Sequence, residues 1–224
     1  MKILCVADQM DPLVYSSAAK ERFGGVDLVL AAGDVPMDYL GFLSSALNRP
    51  IYFVFGNHNL EKISDFNRRF ASAAVRDETS PFLRQGYGAV YTGWRNTRHD
   101  GRLLISGLGG SMRYNDGLNQ YTDFQMCLKA LRLVPGLLWN RLRYGRFLDI
   151  LLTHAPPRGV GDAEDACHRG FGAFLPFMRI FRPRYLVHGH IHLYDLNAER
   201  KRRYHATEVV NAYGHTVIEF RETS

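Results

Sequence analysis

The chain has 224 residues, 46% hydrophobic and 22% charged, which is the composition of an ordinary soluble globular protein long enough for one α/β domain with a large core. It holds no run of about 18 apolar residues that could span a bilayer, and no membrane partner is expected. A net charge of +6 suits an anionic substrate without specifying one, and three widely spaced cysteines, Cys5, Cys127 and Cys167, argue for a reduced, cytoplasmic setting and against a disulfide framework.

In chain order, residues 2–8 (KILCVAD) predict a strand ending in Asp8. This opening reads as a strand rather than a secretion signal. Pro12 fits a helix start, and a helical pattern over 13–23 stops before Gly24-Gly25. Residues 26–34 (VDLVLAAGD) predict a buried strand ending in Gly33-Asp34, and Leu40, Leu43 and Leu47 predict a helix over 37–48. Residues 51–58 (IYFVFGNH) run without a polar break into Gly56-Asn57-His58, as a strand buried on both faces does. Strand, helix, strand, helix, strand at this spacing implies right-handed parallel crossovers.

Residues 59–101 read as irregular and polar, with a helix near 61–74 and a hairpin near Gly86–Gly93. A strand follows over 102–108. A helix from about 121 places Phe124, Leu128 and Leu131 on one face, Pro135 breaks it, and a second helix runs to Tyr144. Residues 147–153 predict a strand leading into His154, residues 171–181 a helix, and residues 184–190 a strand running into Gly189-His190-Ile191-His192. Residues 203–220 alternate as a hairpin turning near Asn211–Gly214. The run Arg200-Lys201-Arg202-Arg203 reads as a solvated turn between strands rather than a nucleic-acid patch. With no repeat or linker composition, residues 1–224 form one predicted domain.

Five strand ends thus carry Asp8, Asp34, Asn57-His58, His154 and His190 with His192. In open α/β sheets ligands bind beyond the carboxyl ends of strands. Carboxylates gathered at one sheet edge repel each other, and divalent cations would neutralise them. Mixed oxygen and nitrogen donors suit Mn²⁺, Fe or Zn²⁺ rather than the all-oxygen sets of Ca²⁺. Two such ions about 3.5–4 Å apart form a clamp for in-line displacement at phosphorus.

The order D…GD…GNH…H…GHxH, from Asp8 to His192, resembles the calcineurin-like metallophosphoesterase family. The resemblance implies a four-layer α/β/β/α sandwich, two mixed sheets flanked by helices, around a dinuclear centre of two divalent ions, Mn or Fe before Zn. It implies that Asp34 bridges the ions, that Asn57, His154 and His190 complete one position, and that Asp8 and His192 belong to the other. His58 would not ligate. It would sit near the leaving-group oxygen, as general acid or as a donor to the transition state. The implied activity is hydrolysis of a small phosphomonoester or phosphodiester, as phosphatase or phosphodiesterase, by a metal-bound hydroxide. One departure stands out: the family's first motif is Asp-x-His, and here it is Asp8-Gln9-Met10. A thioether replaces imidazole poorly on a hard or borderline cation, so the Asp8 position should bind metal more weakly. Asp11 could fill the gap or cap the next helix.

Other residues have blander readings. His188 reads as packing or as a donor to a ligand. The loop Gly161–Gly170, with Asp162, Asp165, Cys167 and His168, reads as a polar loop at the mouth that shapes substrate choice, or as a further metal cluster. His99, His205 and His215 read as surface or strand residues. Arg113 and Arg158 follow strand ends, where either could meet a phosphate, against the default of surface arginine. Two rival functions remain: a non-catalytic scaffold of the same fold, which Met10 favours, and a nuclease, which only the positive charge favours, with a nucleic-acid partner. The sequence sets no oligomeric state.

Overall fold

The computed structural model describes residues 1–66, 85–195 and 197–221. The chain lays down β1 (Lys2–Ala7), α1 (Ala19–Phe23), β2 (Leu28–Ala31), α2 (Met37–Leu47), β3 (Ile51–Phe53), α3 (Ile63–Phe66), β4 (Gln85–Gly86) and β5 (Ala89–Tyr91). It continues through β6 (Arg95–His99), β7 (Leu103–Leu108), β8 (Ser111–Met112), β9 (Gln120–Tyr121), α4 (Asp123–Leu131) and α5 (Val134–Tyr144). It closes with β10 (Ile150–Thr153), α6 (Phe174–Phe181), β11 (Tyr185–His188), β12 (Lys201–Tyr204), β13 (Thr207–Asn211) and β14 (Gly214–Glu219).

Two six-stranded sheets result, ordered β14-β1-β2-β3-β5-β4 and β12-β13-β11-β10-β7-β6. The inner strands of each run parallel, and β14, β4, β12 and β6 join antiparallel at the rims. The period-2 alternation of a strand sorts side chains into layers. Ile3, Cys5, Leu28, Leu30, Ile105, Ile150 and Leu152 meet between the sheets. Leu4, Val6 and Val29 face α1 and α2, while Leu104, Leu151 and Leu186 face α4, α5 and α6. Three apolar zones between four layers of secondary structure make the α/β/β/α sandwich. Among the described residues no helix is long and apolar enough to cross a membrane.

Several predicted elements differ. The helix expected over 13–23 shrinks to α1, because the Asp11 carbonyl and carboxylate draw Leu13, Val14 and Tyr15 into a turn first. The strand expected over 51–58 ends at Phe53, although Val54 still bonds back to Ala31. Of the helix near 61–74, Ile63–Phe66 is present, and the remainder lies outside the described residues. The polar stretch before residue 101 contains β6, which as a rim strand needs no apolar face. On α4 the expected face points outward: Phe124, Leu128 and Leu131 are exposed, while Met126, Lys129 and Ala130 are buried. Both faces of α4 carry apolar residues, so spacing could not choose. The Lys129 ammonium sits over the Trp94 and Tyr121 rings, 3.9 and 4.2 Å from their centroids, which offsets its burial.

The terminal hairpin is also corrected. β13 pairs with β12 across a turn at His205-Ala206, and β14 leaves for the other sheet to pair with β1. The Arg200–Arg203 run is therefore mostly strand. Lys201 pairs with Glu208 and Arg202 with Glu199 across a solvated rim.

Candidate metal centre

The strands β1, β2, β3, β10 and β11 all end at one edge of the sandwich, and Asp8, Asp34, Asn57, His154 and His190, one to four residues beyond those ends, turn inward. Asp8, Asp34 and His190 do so with left-handed backbones, φ 63°, 54° and 69°, a conformation Asp, Asn and His tolerate better than branched residues. The flanking glycines have a steric reason. A Cβ on Gly33 would stand 2.6 Å from His154 Nδ1, and one on Gly56 would stand 2.1 Å from Asp34 Oδ1. The Gly-Asp and Gly-Asn-His motifs keep this space for the His154 and Asp34 side chains.

Four of the predicted residues meet in the interior. Asp34, Asn57, His154 and His190 are all buried. Ligand atoms of Asp34, His154 and His190 lie within 4.8 Å of one another. His154 Nδ1 is 2.8 Å from the Ala32 carbonyl, which can only accept, so Nδ1 carries the hydrogen. Its Nε2 then presents a lone pair 3.2 Å from Asp34 Oδ2 and 3.1 Å from Asn57 Oδ1. The amide orientation of Asn57 is set by Tyr114, whose hydroxyl accepts from Asn57 Nδ2 at 3.1 Å. His190 Nε2 donates to the Cys167 carbonyl at 2.7 Å, which leaves Nδ1 as its free donor atom. A nitrogen lone pair aimed between two acceptor oxygens requires a cation there, either a proton or a metal ion. Imidazoles whose far nitrogen is held by a backbone carbonyl are the usual ligand arrangement, so these residues fit a divalent ion.

The electrostatics agree. Burial pushes His154 down, but the Asp34 carboxylate, by charge and hydrogen bond, outweighs it and lifts the imidazole to about 9. Burial pushes Asp34 up, yet His154 and the His58 backbone N–H (2.7 Å to Oδ1) hold it at about 2. Burial lowers His190 to about 3, so it stays neutral. Burial raises Asp8 to about 6, with Asp34 adding repulsion.

The remaining predicted residues are looser. Asp8 lies beside the cluster with both carboxylate oxygens on the His190 backbone N–H, 2.9 and 3.0 Å. His192 is exposed, stacked on Tyr213 at 4.9 Å, with Nδ1 on the Tyr194 hydroxyl at 3.0 Å. The Met10 side chain is 44% exposed and does not enter the centre. Asp11 is spent on the Leu13 N–H and on His215, 2.6 Å away, so it caps and braces rather than ligates. His58 is exposed, and its backbone is tied to Asp34.

His188 is buried and bonds to the Gly189 carbonyl. His99 is buried on β6 against the Tyr52 hydroxyl, and His205 forms the β12–β13 turn. Arg113 donates to Gln125, and Arg158 is exposed. Sequence reasoning missed Tyr114 and Asn119. Asn119 donates to the Phe55 and Gly56 carbonyls and is itself held by the Tyr121 hydroxyl, bracing the turn that carries Asn57. Neither lies at a predicted strand end, so no pattern marks them.

A family profile described as calcineurin-like phosphoesterase matches residues 1–194. Comparison with curated proteins by sequence found no match. A solved structure superposes with TM-score 0.63 at 13% identity, covering 97% of this chain and 94% of its own. The structure of TT1561 of Thermus thermophilus superposes with TM-score 0.56 at 15% identity, covering 95% of this chain and 88% of its own. At these identities the two structures establish a shared fold.

Proposed function

Because the chain belongs to the calcineurin-like phosphoesterase family, whose phosphoester hydrolysis is metal-dependent, we propose that it hydrolyses a small phosphomonoester or phosphodiester at a centre of two divalent ions. The supporting observation is the His154 lone pair, aimed between Asp34 Oδ2 and Asn57 Oδ1 with its other nitrogen already committed to Ala32. Asp34, Asn57, His154 and His190 would hold the inner ion. Asp8 and His192, sharing Asp34, would hold the outer one. Mn²⁺ or Fe suits this mixture of oxygen and nitrogen, with Zn²⁺ next. When bound, such ions polarise a phosphoryl oxygen and make an attacking water more acidic.

The chain's own groups do the rest. Asp34 and Asp8 fix the charge balance of the pocket, and the buried strand ends exclude bulk water from its floor. Tyr114 keeps the Asn57 carbonyl oxygen pointed inward. His58 stands exposed beside Asp34 and hands a proton, or a hydrogen bond, to the departing oxygen. The test is a panel of nitrophenyl phosphate mono- and diesters with Mn²⁺, before and after chelation. Hydrolysis that disappears with chelator and returns with Mn²⁺ is expected. A metal-loaded protein inert to every ester would defeat the reading.

A second reading, a non-catalytic scaffold, has one observation in its favour. Leu138, Trp139 and Leu142 of α5 are exposed, as are Phe124, Leu128 and Leu131 of α4, and exposed large apolar side chains are what protein-binding surfaces are made of. The same ester panel separates it from the enzyme.

A further inference from the structure

The outer position is one donor short. Met10 faces solvent and Asp11 is engaged elsewhere, so nothing in the loop after β1 restores the lost imidazole. The loop of residues 161–170 comes to the centre from the other sheet. Asp162 clamps its two ends by accepting from the Gly159 and Gly170 backbones at 2.8 and 3.0 Å. Asp165 Oδ1 accepts from the backbones of Cys167 and His168 at 3.0 and 3.1 Å. The Cys167 carbonyl takes the His190 Nε2 hydrogen. A loop with this many internal ties, one of them to a candidate ligand, holds its neighbour His168 in register with the centre.

His168 Nδ1 lies 2.9 and 3.0 Å from the two Asp165 oxygens. An ionised carboxylate only accepts, so Nδ1 carries the hydrogen and Nε2 is left to ligate. This carboxylate–imidazole pair is the arrangement that orients metal-bound histidines. The His168 ring lies 5.6 Å from that of His190 and 6.3 Å from that of His192. Two imidazoles on one tetrahedral ion, at metal–nitrogen distances of about 2.0–2.1 Å, have centroids about 5 Å apart. His154 and His190 already stand at 4.8 Å. His168 and His192 need to close by about 1 Å on this geometry. Both side chains are partly open to solvent, and ligation would require the two rings to turn toward Asp8 and Asp34.

We propose that His168, aimed by Asp165, supplies the imidazole that position 10 lacks and ligates the outer divalent ion together with Asp8, Asp34 and His192. The inference rests on the two-ion reading above and would explain how the centre dispenses with the usual histidine after its first aspartate.

The test is stepwise Mn²⁺ binding to the full chain by calorimetry, with electron paramagnetic resonance reporting exchange coupling between the ions. The unaltered protein is expected to bind two ions in separable steps. His168→Ala should keep the first step and weaken the second by about 100-fold or more, and Asp165→Asn should weaken it by about 10-fold. Millimolar imidazole should restore the second step and the coupled signal in His168→Ala, which a purely structural role would not allow. Two ions bound by His168→Ala as tightly as by the unaltered protein would overturn the proposal alone. A single ion bound by the unaltered protein would overturn the two-ion reading and this inference with it. If His168→Ala loses the first step through misfolding, Asp165→Asn decides: an unchanged second step there would overturn the proposal.

Discussion

The two halves of the centre are built by opposite means. The inner half, Asp34, Asn57, His154 and His190, is buried, and its donor atoms are fixed by the Ala32 and Cys167 carbonyls and the Tyr114 hydroxyl. The outer half, Asp8 and His192, is partly open. Its histidine is bonded to the Tyr194 hydroxyl and stacked on Tyr213, and its first loop contributes a solvent-facing methionine. Preorganisation lowers the ordering cost of binding, so the inner half should hold metal tightly and the outer half should hold it weakly. On the two-ion reading, one half would anchor its ion while the other exchanged.

Removing His58 probes the chemistry without touching either half. Turnover of His58→Ala is expected to fall by about 100- to 10,000-fold with the count of bound metal unchanged. Undiminished turnover would remove His58 from the reaction. Gly56→Ala attacks the inner half directly, since its Cβ would stand 2.1 Å from Asp34 Oδ1. It should abolish tight metal binding and destabilise the fold by about 1–3 kcal/mol. Thermal melting together with elemental analysis checks both, and retained tight metal would show that the turn has room the geometry denies. Tyr114→Phe is milder. Freeing the Asn57 amide should weaken the first metal by about 10–100-fold and leave the second untouched.

The smallest effect concerns protons. Metal needs the His154 lone pair, but without metal Asp34 lifts that imidazole to about 9, so at pH 7 it is protonated. Binding the first ion at pH 7 should release about one proton, and affinity should climb with pH until it levels near 9. Burial lifts Asp8 only to about 6, so that carboxylate should release almost no proton to the second ion at pH 7 and should compete with it only below about 6. Calorimetry in buffers of differing ionisation enthalpy counts both. Equal release by the two ions would erase the distinction between the halves.

What was legible in the sequence follows from periodicity and register. Long apolar runs marked β1, β2, β10 and β11 because strands buried on both faces have few polar positions. Their polar ends then fell at one edge because parallel neighbours end together. The rest needed contacts between distant segments. Periodicity could not tell which apolar face of α4 would be buried, because that was settled by two aromatic rings that receive Lys129. The alternation of β13 and β14 is the same whether they pair with each other or part company, and the choice was made by β1 having an open side. Tyr114, Asn119 and the Cys167 carbonyl act through turns whose geometry no spacing rule records.

That open side of β1 has a consequence for how the molecule comes into being. Lys2 pairs with Glu219 and Ala7 with Gly214, so the first strand of the sandwich to leave the ribosome waits for the last. Until β14 arrives, β1 presents a bare edge to any passing chain. His215 on that late strand also grips Asp11, just beyond Asp8. The loop that follows Asp8 is thus braced only once β14 has emerged.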